Sequence, residues 1–121
     1  MNTALLIIDI QNDYFPGGKN ELVNPLAAAE RARFLLEAFR EADLPRVYIQ
    51  HIATRPGAQT FLSGTPGAEI HTTVQPREDE TIIQKHFPNS FRDTNLLEHL
   101  RQNKVSRLVV AGMMTHMCVD A

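Results

Sequence analysis

Ala4-Leu5-Leu6-Ile7-Ile8-Asp9-Ile10 is the stretch that decides the fold. An apolar run without alternation, closed by a carboxylate, suits a strand covered on both faces, as strands inside parallel sheets are. Pro16, Gly17 and Gly18 then end it in a loop. Asn24-Pro25 reads as an N-cap followed by proline at the first helical position, opening a helix to about Asp43. Leu26, Ala29, Leu35, Leu36, Phe39 and Ala42 would form its apolar stripe. Leu44-Pro45 stops it.

Three more strand candidates follow. Val47 to Ile52 is the second, Thr81 to His86 the third, and Val105 to Ala111, with Leu108-Val109-Val110, a buried fourth. Thr94 or Asp93 can cap a helix through Asn103, with Leu96, Leu97 and Leu100 inward. Between Ala53 and Glu80 there is no clean periodicity, and so long an irregular segment is often functional. The order strand, helix, strand, long loop, strand, helix, strand predicts an open, mostly parallel α/β sheet, doubly wound in three layers.

The whole composition allows one domain, residues 1–121. With 43% hydrophobic and 21% charged residues and a formal charge of -2, nothing steers the chain toward nucleic acid. No apolar run approaches the roughly 18 residues of a membrane span. One cysteine forms no internal disulfide, which fits a reducing, cytoplasmic setting. No Gly-x-Gly-x-x-Gly follows the first strand, so a dinucleotide would lack its phosphate cradle.

Three reactive residues share a topological position. Asp9 ends the first strand, Lys85 ends the third, and Cys118 follows the fourth. The carboxyl ends of parallel strands lie along one edge, where ligands bind. A thiol with an ordinary pKa near 8.5 needs a base or a nearby cation to become a nucleophile. Asp9 could accept its proton, with Lys85 as electrostatic partner. Taken singly, each residue has a plainer reading: an inert buried thiol, a strand-end cap, a solvated ammonium.

The blocks Asp9-Ile10-Gln11-Asn12-Asp13-Tyr14, Lys85-His86-Phe87-Pro88-Asn89-Ser90-Phe91 and Gly112-Met113-Met114-Thr115-His116-Met117-Cys118-Val119 resemble the isochorismatase-like cysteine hydrolases. That family includes nicotinamidases, carbamoylsarcosine amidases and ureidoacrylate hydrolases. The resemblance implies a doubly wound sheet of about six strands. Only four are present, so the chain reads as roughly the N-terminal two thirds of the family domain, truncated after the fourth strand. A fragment of this kind would expose the fourth strand and self-associate.

The resemblance further implies that Cys118 is the nucleophile, Asp9 the proton acceptor and donor, and Lys85 their partner. It places a cis peptide between Met113 and Met114, aiming the Met114 and Cys118 N–H groups at an oxyanion. Tyr14, Phe15, His51, Phe61 and Phe87 are candidates for the substrate pocket. The substrate would be a small amide or ureide, cleaved through a thioester without an organic cofactor, and family members commonly form homo-oligomers. Members that hydrolyse the vinyl ether of isochorismate lack the nucleophile, so Cys118 favours acyl transfer, with vinyl-ether hydrolysis kept as the alternative. A decayed binding or assembly module also stays open. A thiol redox protein would need a second, resolving cysteine.

Family nicotinamidases bind a divalent cation through an Asp-x-His pair after the second strand. Gln50-His51-Ile52-Ala53-Thr54 lacks it, and His51 with His71 makes a weak site. No metal is therefore expected. Hydrolysis by the whole protein should survive exhaustive chelation; loss with EDTA and recovery with zinc or iron would contradict this.

Overall fold

The computed structural model describes residues 2–19, 22, 24–87, 90 and 92–112. Among these, four strands form one parallel sheet: β1 (Asn2–Ile8), β2 (Arg46–His51), β3 (Thr81–Lys85) and β4 (Val105–Gly112), in the order β3-β2-β1-β4. Helix α1 (Pro25–Glu41) joins β1 to β2, and α2 (Leu96–Gln102) joins β3 to β4. The α/β class read from the sequence is therefore the observed one.

The apolar run of β1 is explained by its central position. Leu5 and Ile7 pack with Ala29, Ala32, Leu36 and Phe39 of α1, and with Tyr48. Ala4, Leu6 and Ile8 pack on the other side with Leu96 and Leu100 of α2, and with Val47, Ile49 and Ile83. Each large aliphatic so buried contributes about 1.5–3 kcal/mol, so covering both faces holds β1 in the middle. Its neighbours are in matched register: Ile8 lies beside Ile49 of β2 and Gly112 of β4. Beyond β2, His51 lies beside Lys85. Gly112 suits its place because a Cβ there would collide with the Ile8 carbonyl oxygen.

Several local expectations need correction. Asn24 makes no side-chain cap: its φ of 54° and ψ of 46° are left-handed, whereas a capping side chain works from extended backbone. The inward stripe of α1 is Pro25, Ala29, Ala32, Leu36 and Phe39, while Leu26 and Ala42 are exposed and Leu35 is half-buried. The true stripe keeps the three-and-four spacing that the small residues Ala29 and Ala32 satisfy. Leu97 is likewise exposed on α2, because only Leu96 and Leu100 fall on the sheet-facing side. Thr94 Oγ1 accepts from the Leu96 N–H at 3.3 Å, although the helix itself starts at Leu96. β4 is not fully buried: Ser106, Arg107 and Leu108 are exposed, since no described strand lies beyond it.

At the amino-terminal edge of the sheet, Glu80 gathers the framework. Arg40 of α1 donates to both of its oxygens, from Nε at 2.7 Å and Nη2 at 2.6 Å. Arg46 Nε lies 2.9 Å from Oε2, Tyr48 Oη donates at 3.3 Å, and the Arg77 N–H donates at 2.8 Å. Burial by itself pushes the Glu80 carboxyl up, but the Arg40 and Arg77 hydrogen bonds and the two guanidinium charges outweigh it and hold it below the usual range. A carboxyl lowered in the folded state adds stability above its unfolded value, and that stability is lost as pH falls through the folded one. Glu80→Gln should therefore lower stability by about 3 kcal/mol at pH 7. Urea unfolding at stepped pH should show the deficit shrinking below about pH 4; a deficit independent of pH would contradict the charge-based account.

Candidate functional site

The site candidates lie at the carboxyl edge of the sheet, where the strand ladders run out. The Asp9 N–H still donates to the Ile49 carbonyl at 3.0 Å, and the Ile52 N–H to the Lys85 carbonyl at 2.9 Å. Immediately after β1 the backbone of Asp9 turns left-handed, with φ 58°. That conformation costs a residue with a Cβ roughly 1–2 kcal/mol, less for aspartate, and such strain collects at functional sites. Across the end of β2, Lys85 Nζ lies 3.2 Å from Asp9 Oδ2. Both side chains are essentially inaccessible, at 0% and 1% exposure. The structure thus brings together two of the three reactive residues that the sequence placed on one edge. Cys118, Met113 and Met114, with the peptide between the last two, lie outside the described residues.

A buried ion pair is not a cheap way to stabilise a fold. Withdrawing two charges from water costs several kcal/mol per ion, and mutual attraction only about offsets it. Two apolar residues would serve packing as well, so the pair makes this edge a candidate site for chemistry.

His51 is half-buried beside the pair. Burial lowers its pKa first of all; the Asp9 charge works against that shift and the Lys85 charge with it. Its ring lies 5.4 Å from that of Phe61, which meets Tyr14 edge-on at 4.9 Å. Those three pocket candidates form one row. Tyr14, Phe15 and Phe61 are each at most 5% exposed and belong to the core under α1. Phe15 stacks at 3.7 Å on His71, whose Nδ1 accepts from the Thr73 N–H at 3.1 Å. His71 and His51 are thus engaged with different rings. Phe87 is half-buried beneath the Arg92 guanidinium, 3.7 Å from the ring centre. No cluster of three or more metal-binding side chains occurs among the described residues.

Two residues that shape this edge were quoted in the sequence motif but given no role. Gln11, fully buried, accepts the His51 N–H at 2.8 Å and donates to the His51 carbonyl at 2.9 Å and the Ala68 carbonyl at 2.7 Å. Its amide copies a strand residue and extends the β1–β2 pairing past the carboxyl edge. The buried Asp13 carboxylate accepts from the Phe61 N–H at 2.7 Å and the Lys19 N–H at 3.3 Å. Gly67 packs against that carboxylate so closely that a Cβ would collide with it. Together they fasten the irregular 53–80 segment to the chain leaving β1, assisted by the bridge between Gln11 and Ile70. An amide and a second carboxylate just past a strand end were the available signal.

A parallel sheet with a buried carboxylate–ammonium pair at its carboxyl edge defines an α/β protein whose site lies at the strand ends. The chain belongs to the isochorismatase domain family, whose model matches residues 3–121. It is 53% identical to the isochorismatase family protein YddQ of Bacillus subtilis, over 100% of this chain and 67% of that protein. A solved protein of isochorismatase type from Oleispira antarctica superposes with a TM-score of 0.93 at 49% identity, over 99% of this chain and 65% of the other. The N-carbamoylsarcosine amidase of Thermoplasma acidophilum superposes at 0.92 with 25% identity, over 99% and 72% respectively. The chain therefore spans about two thirds of the length of the relatives it matches. No described helix is long and apolar enough to cross a membrane.

The pair yields a thermodynamic test. Lys85→Met strands the carboxylate in the interior and should cost about 3–5 kcal/mol in denaturant unfolding of the whole protein. Asp9→Asn should also destabilise, and the double substitution should cost clearly less than the two losses added. Strict additivity would show that the two groups are not energetically coupled.

Proposed function

We propose that the protein hydrolyses a C–N bond of a small amide or ureide, with Cys118 as nucleophile, Asp9 as proton acceptor and donor, and Lys85 as electrostatic partner. The observation that carries this reading is the Asp9–Lys85 pair, 3.2 Å apart and buried at the carboxyl edge of the sheet. Its location matters as much as its length. Gly112, the last residue of β4, is in register with Ile8, the residue before Asp9. Membership of the isochorismatase family and likeness to an N-carbamoylsarcosine amidase support an amide-type substrate.

In the reaction Asp9 takes the thiol proton as Cys118 attacks the carbonyl carbon. The tetrahedral oxyanion is met by the N–H groups of Met114 and Cys118, and such donors contribute about 3 kcal/mol each to transition-state stabilisation. Collapse breaks the C–N bond, and Asp9 passes its proton to the leaving nitrogen. Water then attacks the thioester, Asp9 takes a proton from it, and the thiol is regenerated as the acid departs. Lys85 stabilises the negative charge as it moves between carboxylate and sulfur. Of the pocket candidates, His51 stands beside the pair, with the Phe61 and Tyr14 rings packed in a row behind it. The reaction uses no organic cofactor, and a cytoplasmic location suits its free thiol.

Cys118→Ala should abolish turnover of small amides by the whole protein, and Asp9→Asn should reduce it almost as far. The double variant should be little worse than either, because the two groups act as one unit. Ammonia release measured over an amide panel checks this. Full activity in Cys118→Ala would contradict the thioester route, and multiplicative losses would contradict concerted action.

A further inference from the structure

His71, His86 and His99 each spend a ring nitrogen on a neighbour. His71 Nδ1 accepts from the Thr73 N–H, His86 Nδ1 lies 2.8 Å from the Ile52 carbonyl oxygen, and Asn103 Nδ2 donates to His99 Nε2 at 3.4 Å. His51 differs. Neither of its ring nitrogens has a hydrogen-bond partner among the described residues, and neither is sealed off inside the protein. Polar groups drawn out of water are normally paired, so a half-buried ring left open at a candidate site is an available binding group.

The rest of the residue is held in place. Gln11 accepts the His51 N–H at 2.8 Å and donates to its carbonyl at 2.9 Å. The ring lies 5.4 Å from that of Phe61, at 30° to it. The imidazole is thus aimed by the fold and by ring packing, with its own hydrogen-bonding capacity unspent. His51 is the register partner of Lys85 at the ends of β2 and β3, and its ring feels the charges of both Asp9 and Lys85.

A neutral imidazole keeps one acceptor nitrogen in either tautomer. Burial is the largest influence on the His51 ring and lowers its pKa; Lys85, His86 past β3 and Arg55 on the 53–80 segment act the same way, and Asp9 alone opposes them. The ring is therefore neutral at pH 7. An acceptor at this place has a use in the proposed reaction. The substrate carbonyl oxygen turns to the Met114 and Cys118 N–H groups, and the leaving nitrogen turns to Asp9, which protonates it. An N–H still carried by that nitrogen needs an acceptor of its own. The Lys85 ammonium only donates, and Asp9 is occupied with the proton in transfer.

We infer that the unpartnered ring nitrogen of His51 accepts a hydrogen bond from the N–H of the scissile amide or ureide, orienting the leaving nitrogen toward Asp9. The bond favours substrates whose leaving atom is an N–H-bearing nitrogen and does nothing for an ester of the same acid. It rests on the hydrolytic reading above and adds to it the residue that selects the bond to be cleaved.

A matched pair of substrates tests it in the whole protein: an amide of the panel that is cleaved, and the methyl ester of the same acid. Both give the same thioester on Cys118, so their kcat/KM values differ only through acylation. His51→Phe keeps a ring but has no acceptor; it should lower kcat/KM for the amide roughly tenfold or more and change the ester by less than about twofold. His51→Gln offers its amide oxygen and should restore most of the amide rate. In the native protein the amide-to-ester ratio should fall as pH drops below the ordinary histidine value of about 6.5, because the protonated ring accepts nothing. In His51→Gln, which does not titrate, that fall should be absent. The pH comparison stands even if His51→Phe does not fold. Equal losses on amide and ester, or a ratio with the same pH dependence in native and His51→Gln proteins, would overturn the inference and leave the thioester route intact. Failure of both substrates to acylate Cys118 would instead remove the hydrolytic reading, and this inference with it.

Discussion

The structure depends on one constraint: β1 must be covered on both faces and flanked on both sides. Leu5 and Ile7 are taken up under α1, while Leu6 and Ile8 are taken up on the α2 side. Only an interior position in the sheet satisfies a strand with no polar face. Once β1 is central, the register with β2 and β4 follows. The left-handed Asp9 then comes out at the middle of the carboxyl edge, in reach of residues from either direction. Lys85 reaches it from two strands away, over the end of β2.

Much of this was legible because it rests on local pattern. The unbroken Ala4–Ile8 run could hardly be anything but an interior strand, and turn residues bounded the other elements to within a residue or two. The coincidence of Asp9 and Lys85 on one edge followed from parallel topology alone. The polar clamps were not legible. Gln11 and Asp13 act through backbone groups of His51, Ala68, Phe61 and Lys19, and a side chain bonded to distant main chain leaves no periodic trace. Glu80 was hidden likewise, since its partners Arg40, Arg46 and Tyr48 converge only when α1 and β2 are in place.

The helices show the opposite failure. Leu26, Leu35 and Leu97 were expected inward because leucine usually is, yet the inward stripe of α1 uses the smaller Ala29 and Ala32. Small residues let the helix approach the sheet closely, which leaves Leu26 exposed and Leu35 at the margin of the core. Composition by itself does not tell an inward alanine from an outward leucine.

The central claim is that Cys118 carries the acyl group while Asp9 and Lys85 manage its proton and charge. Intact-mass and peptide mass spectrometry on the whole protein, acid-quenched during turnover of a small amide, tests it most directly. The account predicts an acyl adduct on Cys118, formed early and lost as substrate is consumed. Sustained turnover with Cys118 unmodified at every quench time would contradict it.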